Sequence, residues 1–487
     1  MVAVVGAPPS SSATLQVMQY ANEEVLQWHQ LLQVVAMLML LVLGLQVWYR
    51  RHYKAVPSLP EEKGAATCTR VLQTLGPGLM VCLADSDIGG LATMAEAGSK
   101  TGYALMSLQL ILIPVLYAVQ EMVVRLSVHR RRCLLTLVRL EMGYAAACVL
   151  LIVMVVLGVF AVMSEFSGIA SVGDLFGFSP RNSCTGAALF LIIVVLLGDY
   201  NVLERVGLLL GSFLSVFVFT AFLCHPPWGE VMWSTFVPQR YGIHGASAED
   251  LRELTLANIG TVVTPWMLFY QASAIVEKQV PASCLHVARL DTLVGSVVTQ
   301  LVMCSVLITF AKQSQGVDLR SLNMGDAFLV PLEPLLGRTC AQALLAAGLL
   351  GSSLLATLVI SLGVAWNLAE YISLDLGHGT SQRIVSASNA TGSPMFRLFF
   401  IGTVALSAAV VSSEVIGVMR LNILVQLLNG ALMPLVVGYV FRLATRAGVL
   451  PEEHRIRGTY AACVGTMVLL CSLLAAWMGI HSVITAM

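Results

Sequence analysis

The sequence predicts an all-α protein that crosses a membrane many times, built as two inverted repeats of five helices with one further helix at each end. Three observations carry this. Mean hydropathy is +0.83, and 57% of residues are hydrophobic while only 11% are charged, against roughly 25% charged in soluble domains. Apolar runs of about 20 residues, the length a helix needs to cross a bilayer, recur along the chain between short polar links. Two of these runs, five apart in the count, are interrupted at corresponding places, which is the sequence mark of an inverted repeat.

Residues 1–29 are polar and Ser-rich, carry Glu23 and Glu24, and hold no Lys or Arg. An apolar run follows at 30–49 (span 0), then a basic linker at 50–73 with Arg50, Arg51, Lys54, Lys63 and Arg70. A cleaved signal peptide has its positive charges before the apolar run. Here they come after it, so span 0 is expected to be a retained helix with its N-terminus outside and its C-terminal end in the cytoplasm. The core is expected at 74–487, with repeats at about 74–225 and 252–446. Its spans are placed at about 74–98, 103–128, 145–172, 185–199, 204–224, 253–277, 287–311, 338–372, 396–412, 420–443 and 458–484, numbered 1 to 11.

Threading these twelve spans from an outside N-terminus leaves eight of the 27 Lys and Arg residues outside: Lys100, Arg181, Arg240, Arg252, Lys312, Arg320, Arg338 and Arg420. The other 19, including Arg130-Arg131-Arg132 and the group from Arg442 to Arg457, fall on the cytoplasmic side, as the positive-inside rule requires. The sequon Asn389-Ala390-Thr391 then lies in the cytoplasm, unused. Acidic and basic residues balance at 27 each, which argues against a nucleic-acid partner. The eleven cysteines are scattered with no CxxC pair and read as small core residues.

The core turns on residues 76–98. Gly76-Pro77-Gly78 opens span 1, and Asp85-Ser86-Asp87-Ile88-Gly89-Gly90 sits in its middle. A carboxylate inside a membrane costs roughly 2.5–3.5 kcal/mol on insertion scales, so it needs a partner or a task. The glycine pair after Asp87 weakens the helix beside the charge. In span 6, Asn258-Ile259-Gly260-Thr261-Val262-Val263-Thr264-Pro265 places a proline in mid-membrane, which removes a donor and leaves carbonyls near Thr261 without their usual partners. Paired interruptions with a carboxylate at one of them suit a cation site near the midplane.

These residues, together with Ser164-Glu165-Phe166-Ser167-Gly168, Glu204-Arg205, Asn367-Leu368-Ala369-Glu370 and Gln426-Leu427-Leu428-Asn429-Gly430, resemble the NRAMP divalent-metal transporter superfamily over about 74–487. The resemblance implies a LeuT-type fold and transport of a divalent cation by alternating access, with spans 1 and 6 rocking against spans 3, 4, 8 and 9. In the family, an Asp-Pro-Gly-Asn motif in span 1 and a Met-Pro-His core in span 6 form the site. Here Asp87 matches the Asp, Ile88 stands for the Pro and Gly90 for the Asn. Thr264 stands for the Met, Trp266 for the first His and Gln271 for a second, while Thr261 holds the carbonyl position. Gln426 keeps a glutamine that joins the ion's shell in some states, and Glu165 an acidic position linked to proton movement.

These departures look like the divergent NRAMP-related branch that includes magnesium-transporting members. The resemblance thus implies a metal site of Asp87, Gly90, Thr261, Thr264 and Gln426. Asp85, Glu165, Trp266 and Gln271 stand around it or along an ion or proton path. Loss of a thioether and an amide leaves a roomier, all-oxygen site, which suits Mg²⁺ or Mn²⁺ better than Fe²⁺. No cofactor is implied beyond the transported ion, and a monomer in the plasma membrane or an endolysosomal or vacuolar membrane fits. Asp85 reads equally as a residue behind the ion or as a solvated entrance charge, Glu96 as a vestibule charge, and Glu121 with Arg125 as a structural i,i+4 pair. Two other readings stay open. A carrier of organic solutes such as amino acids is disfavoured by the fixed anion at Asp87. A non-transporting NRAMP-like sensor is disfavoured by the chain ending soon after span 11.

Overall fold

The computed structural model describes residues 75–238, 248–314, 316–317, 319, 322–374, 393–413, 418–470 and 473. Span 0, the N-terminal tail, the loop holding Asn389 and the end of span 11 lie outside the described residues, as do the side chains of 418–424, Gln426 and Leu427. The described elements are helical. Span 1 is two helices, α1 (Pro77–Asp85) and α2 (Ile88–Thr101), bent by 51° at a two-residue break. Then come α3 (Met106–Arg130), α4 (Leu134–Met142), α5 (Tyr144–Asp174), α6 (Pro180–Leu197), α7 (Tyr200–Ser212), α8 (Ser215–Leu223) and α9 (Trp228–Phe236). Span 6 is α10 (Ala248–Val262) and α11 (Pro265–Glu277), followed by α12 (Leu285–Gln313), α13 (Met324–Leu329) and α14 (Glu333–Leu336). The series continues with α15 (Arg338–Ser373), α16 (Pro394–Ser412) and α17 (Val418–Thr445), then α18 (Gly458–Leu470).

Among the described residues, nine helices or helix pairs are long and apolar enough to cross a membrane, ten with the bent pair, and they coincide with spans 1 to 10. Span 11 is seen only as the shorter apolar helix α18. Each break has a local cause. Asp87, in extended geometry, caps α2 by accepting a hydrogen bond from the Gly90 N–H at 2.7 Å, a role short acidic side chains fill well. Pro265 stands at the first turn of α11, where its missing N–H costs nothing. The proline in span 6 therefore starts a second helix and does not bend a continuous one.

The packing crosses the two broken spans over each other: α1 lies against α11 and α2 against α10. Tyr270 of α11 donates from its hydroxyl to Met80 Sδ of α1 at 3.1 Å. The two breaks therefore face each other, and α12 runs along both halves of span 1. That approach is close because of glycine. A Cβ on Gly78 would stand 2.6 Å from the Thr292 backbone nitrogen, and one on Gly98 would run into the Leu307 carbonyl. The buried helices α5 and α15 pack along each other behind the breaks.

Polar side chains pin the start of α1. The Asp291 carboxylate of α12 accepts from the Gly76 N–H at 3.1 Å and the Gly78 N–H at 2.7 Å, satisfying donors a helix start leaves open. Lys278 donates to the Leu75 carbonyl and pairs with Glu204 at 2.6 Å. This gives Glu204, one of the residues carrying the family resemblance, a structural task.

Candidate metal centre

The centre forms where the two breaks meet. Asp87 is half-buried, and one of its oxygens is held by Gly90. Asp85, the last residue of α1, has no exposed surface, and neither of its carboxylate oxygens has a hydrogen-bond partner. It is no solvated entrance charge. Thr264 caps α11 without a side-chain bond, and its buried hydroxyl is unpartnered. Trp266 is buried with its indole N–H unpartnered, and Gln271 donates to the Thr292 hydroxyl at 3.3 Å while its carbonyl oxygen is left over.

Thr261 spends its hydroxyl on the Asn258 carbonyl at 2.9 Å. It lies in the last turn of α10, where backbone carbonyls lose their helical partners because the next donor would belong to Pro265. Glu165 of α5 is buried. The Ile88 N–H, just past the break, and the Ser353 hydroxyl face its carboxylate, whose Oε2 has no hydrogen-bond partner. Ser352 of α15 donates to the Ser86 carbonyl inside the break, and the Ser86 hydroxyl stays unpartnered. Buried polar groups are seldom left unpaired. Here they gather around two opposed helix breaks, an arrangement of oxygens that can surround a cation.

The structure narrows the expectation at Gly90. It has no side chain, and its N–H is used to hold Asp87. A Cβ there would stand 2.7 Å from Met303 Cε and 3.3 Å from Asp87 Oδ1. The methyl of Met303, from α12, occupies the place a residue-90 side chain would take. Loss of that side chain has therefore not made the site roomier on this side. Gln426 falls in α17, but its side chain lies outside the described residues. Glu96 pairs with Lys100 at 2.7 Å. Glu121 is more than an i,i+4 pair, since Arg125 at 2.6 Å and Arg289 at 2.8 Å both hold it.

Sequence reasoning passed over several residues here. Met303 looked like one methionine among 21. Asn258, one turn before Thr261, is buried with both amide atoms unpartnered, and Asp291 was hidden in span 7. A lone carboxylate in an apolar run was the available signal for Asp291.

These features define a class: a multi-pass helical membrane protein of the LeuT type, whose two broken spans meet at a buried acidic centre. The chain belongs to the Nramp family, matching the natural resistance-associated macrophage protein-like model over residues 78–481. The divalent metal cation transporter MntH of Agrobacterium fabrum is 26% identical over 312 residues, covering 61% of this chain and 66% of that protein. MntH of Brucella suis is 25% identical over 317 residues, covering 63% and 69%. The match thus spans about two thirds of these relatives' length. The crystal structure of a manganese transporter from Eremococcus coleocola shares the fold with a TM-score of 0.65 at 19% identity, covering 86% of this chain and 88% of that one.

Proposed function

We propose that the protein carries divalent metal cations across a membrane by alternating access, Mg²⁺ and Mn²⁺ ahead of Fe²⁺, with Asp87 as the charged ligand. The observation that carries this reading is the pairing of Asp87, a half-buried carboxylate at one helix break, with Thr264, an orphaned buried hydroxyl at the other. Metal-transporting relatives support the same class of cargo. The carbonyl of Thr261, Gln426 and retained water complete the ion's shell. Gly90 contributes by orienting Asp87 and donates no atom to the ion.

Hardness of the donors supports the order of ions. Carboxylate, carbonyl and hydroxyl oxygens suit Mg²⁺ and Mn²⁺, whereas a thioether ligand in span 6 would favour softer metals. What Met303 brings to Gly90 is its terminal methyl, which is no ligand. Uptake into proteoliposomes with Mg²⁺, Mn²⁺ and Ca²⁺ in competition tests the reading. Asp87→Ala should abolish uptake of every divalent ion while the protein remains folded. Undiminished uptake by that variant would remove the basis of the proposal.

A further inference from the structure

A basic hollow opens at the end of the bundle that the Lys and Arg distribution assigns to the cytoplasm. It measures about 540 Å³, within the range of small-ligand pockets. Glu141 and Met142, closing α4, form one wall, and Arg442, Thr445 and Arg446, at the end of α17, form the other. Glu141 is the acid of the wall, and Arg130 pairs with its carboxylate. Arg446 donates to the Glu141 carbonyl, one of those that a helix end leaves open. That is one bond from a guanidinium with five N–H groups. Arg442 is exposed, and its side chain has no hydrogen bond or ion pair among the described residues. The Thr445 hydroxyl is turned to the Phe441 carbonyl at 2.9 Å. The hollow thus offers two guanidiniums against one carboxylate that is already neutralised. That balance favours an anion, and the arginine fork matches the geometry of phosphate.

The surroundings say which kind of anion. Arg442 stands on the face of α17 that also carries Gly438, one turn back, and Ala431, two turns further, all three exposed. A Cβ on Gly438 would meet nothing within 4 Å, so that point of the span is bare. On the α4 side Leu140 is 54% exposed and Tyr144 60%, and the Arg139 guanidinium lies over the Tyr144 ring at 5.5 Å. Exposed leucine and tyrosine beside arginine mark the level where a bilayer meets water. A free anion would need the hollow alone. A phospholipid would use both the hollow and the bare face of α17, where a chain can lie against Gly438 and Ala431. Basic recesses between membrane helices on the cytoplasmic side suit anionic headgroups, and the lipids of that leaflet are negative.

We propose that the hollow between α4 and α17 binds the phosphate of an anionic phospholipid of the cytoplasmic leaflet, with Arg442 and Arg446 as its ligands and one acyl chain on the exposed face of α17. The site lies apart from the two helix breaks and does not depend on the transport reading. Arg442 has no other task in the protein, so its charge is free for the headgroup. Arg446 already holds the end of α4, so a headgroup bound to it joins α4 to α17. A ligand held only by the folded state raises resistance to unfolding, and the dependence on its concentration measures its affinity.

The measurement is thermal unfolding of the full chain in detergent, titrated with phosphatidylglycerol, with phosphatidylcholine of the same chains, or with inorganic phosphate. Phosphatidylglycerol should raise Tm, and zwitterionic phosphatidylcholine should raise it much less. Arg442→Gln should leave the Tm without lipid near that of the wild type. It should raise the phosphatidylglycerol concentration for half the effect about fivefold, or roughly 1 kcal/mol, and Arg442→Lys should recover most of that loss. Arg457→Gln, at the same end of the bundle but paired with Glu452 at 3.1 Å, should keep the wild-type response. Equal losses in the Arg442 and Arg457 variants would reduce the effect to general surface charge and overturn the site. Equal responses to the two lipids would overturn the role of charge. A rise in Tm with inorganic phosphate that matches the rise with phosphatidylglycerol, and is lost in Arg442→Gln, would make the hollow a site for free anions and overturn the lipid. Failure of Arg442→Gln to fold would also contradict the idea, because the side chain would then be needed by the fold itself.

Discussion

Gly90→Asn probes how the centre is filled. The new Cβ would lie 2.7 Å from Met303 Cε, where carbon atoms in contact settle at roughly 3.5–4.0 Å. The methionine tip must therefore retreat by about 1 Å. It is a flexible end, but Met303 is only 1% exposed, so it retreats into packed surroundings at a cost of roughly 1–3 kcal/mol. Met303→Ala alone should cost about 2–5 kcal/mol as a cavity. Combined, the asparagine amide enters the vacated volume beside Asp87, and the two changes should couple by about 1–3 kcal/mol. Thermal unfolding of the two single variants and the double variant measures the coupling, and Mn²⁺ uptake in proteoliposomes reads the site. The expected result is a Gly90→Asn protein of lowered Tm and raised KM, and a double variant less destabilised than the sum of the two single changes, with its KM restored toward wild type. Effects that simply add to within about 0.5 kcal/mol would refute the view that Met303 occupies the place of a residue-90 side chain.

Three other outcomes are expected. Thr264→Met should place a soft atom at the second break, strengthening competition by Cd²⁺ about tenfold while Mg²⁺ transport falls; unchanged Cd²⁺ competition would mean that span 6 offers the ion no side chain. Metal uptake should carry little or no proton with it, because Trp266 and Gln271 stand where the family resemblance places its two histidines. Metal-driven acidification of the liposome interior, abolished by Glu165→Gln, would overturn that expectation. An epitope placed within residues 5–25 should be accessible on intact cells, and its protection would reverse the orientation drawn from the Lys and Arg distribution.

The fold was legible wherever one physical signal dominated. Apolar runs located spans 1 to 10, and Asp87 with the glycine pair located the first break, because helix length in a bilayer and an unpaired charge within it are stringent requirements. Pro265 marked the second break, though its role as the first residue of a new helix depends on how the chain enters it. The surroundings of the centre were harder to read. That Met303 fills the space beside Gly90, or that Asp291 holds the start of α1, depends on α12 lying against span 1. No periodicity within either segment states that contact. Asp85 and Asp87 have the same side chain two residues apart. Only the break between them, ending one helix and beginning the next, separates their environments.

Asn367 shows how a broken span can belong to two bodies at once. Its amide nitrogen lies within hydrogen-bond distance of the Phe269 carbonyl at 3.2 Å, the Ser273 hydroxyl at 2.8 Å and the Gly363 carbonyl at 2.8 Å, and its oxygen accepts from the Leu135 N–H at 3.2 Å. One side chain thus rivets α11 to α15 and α4, and Gly363 brings the backbone of Tyr270 so near that a Cβ would stand 3.2 Å from it. Sliding α11 along α15 would break both Asn367 bonds to α11, to Phe269 and Ser273, together. The α10 half has no such rivet to α15 among the described contacts. Any swing of span 6 must then be taken up as a change of angle at Val263 and Thr264. The pivot and the proposed ion site share these few residues, so an ion bound there would stiffen the hinge.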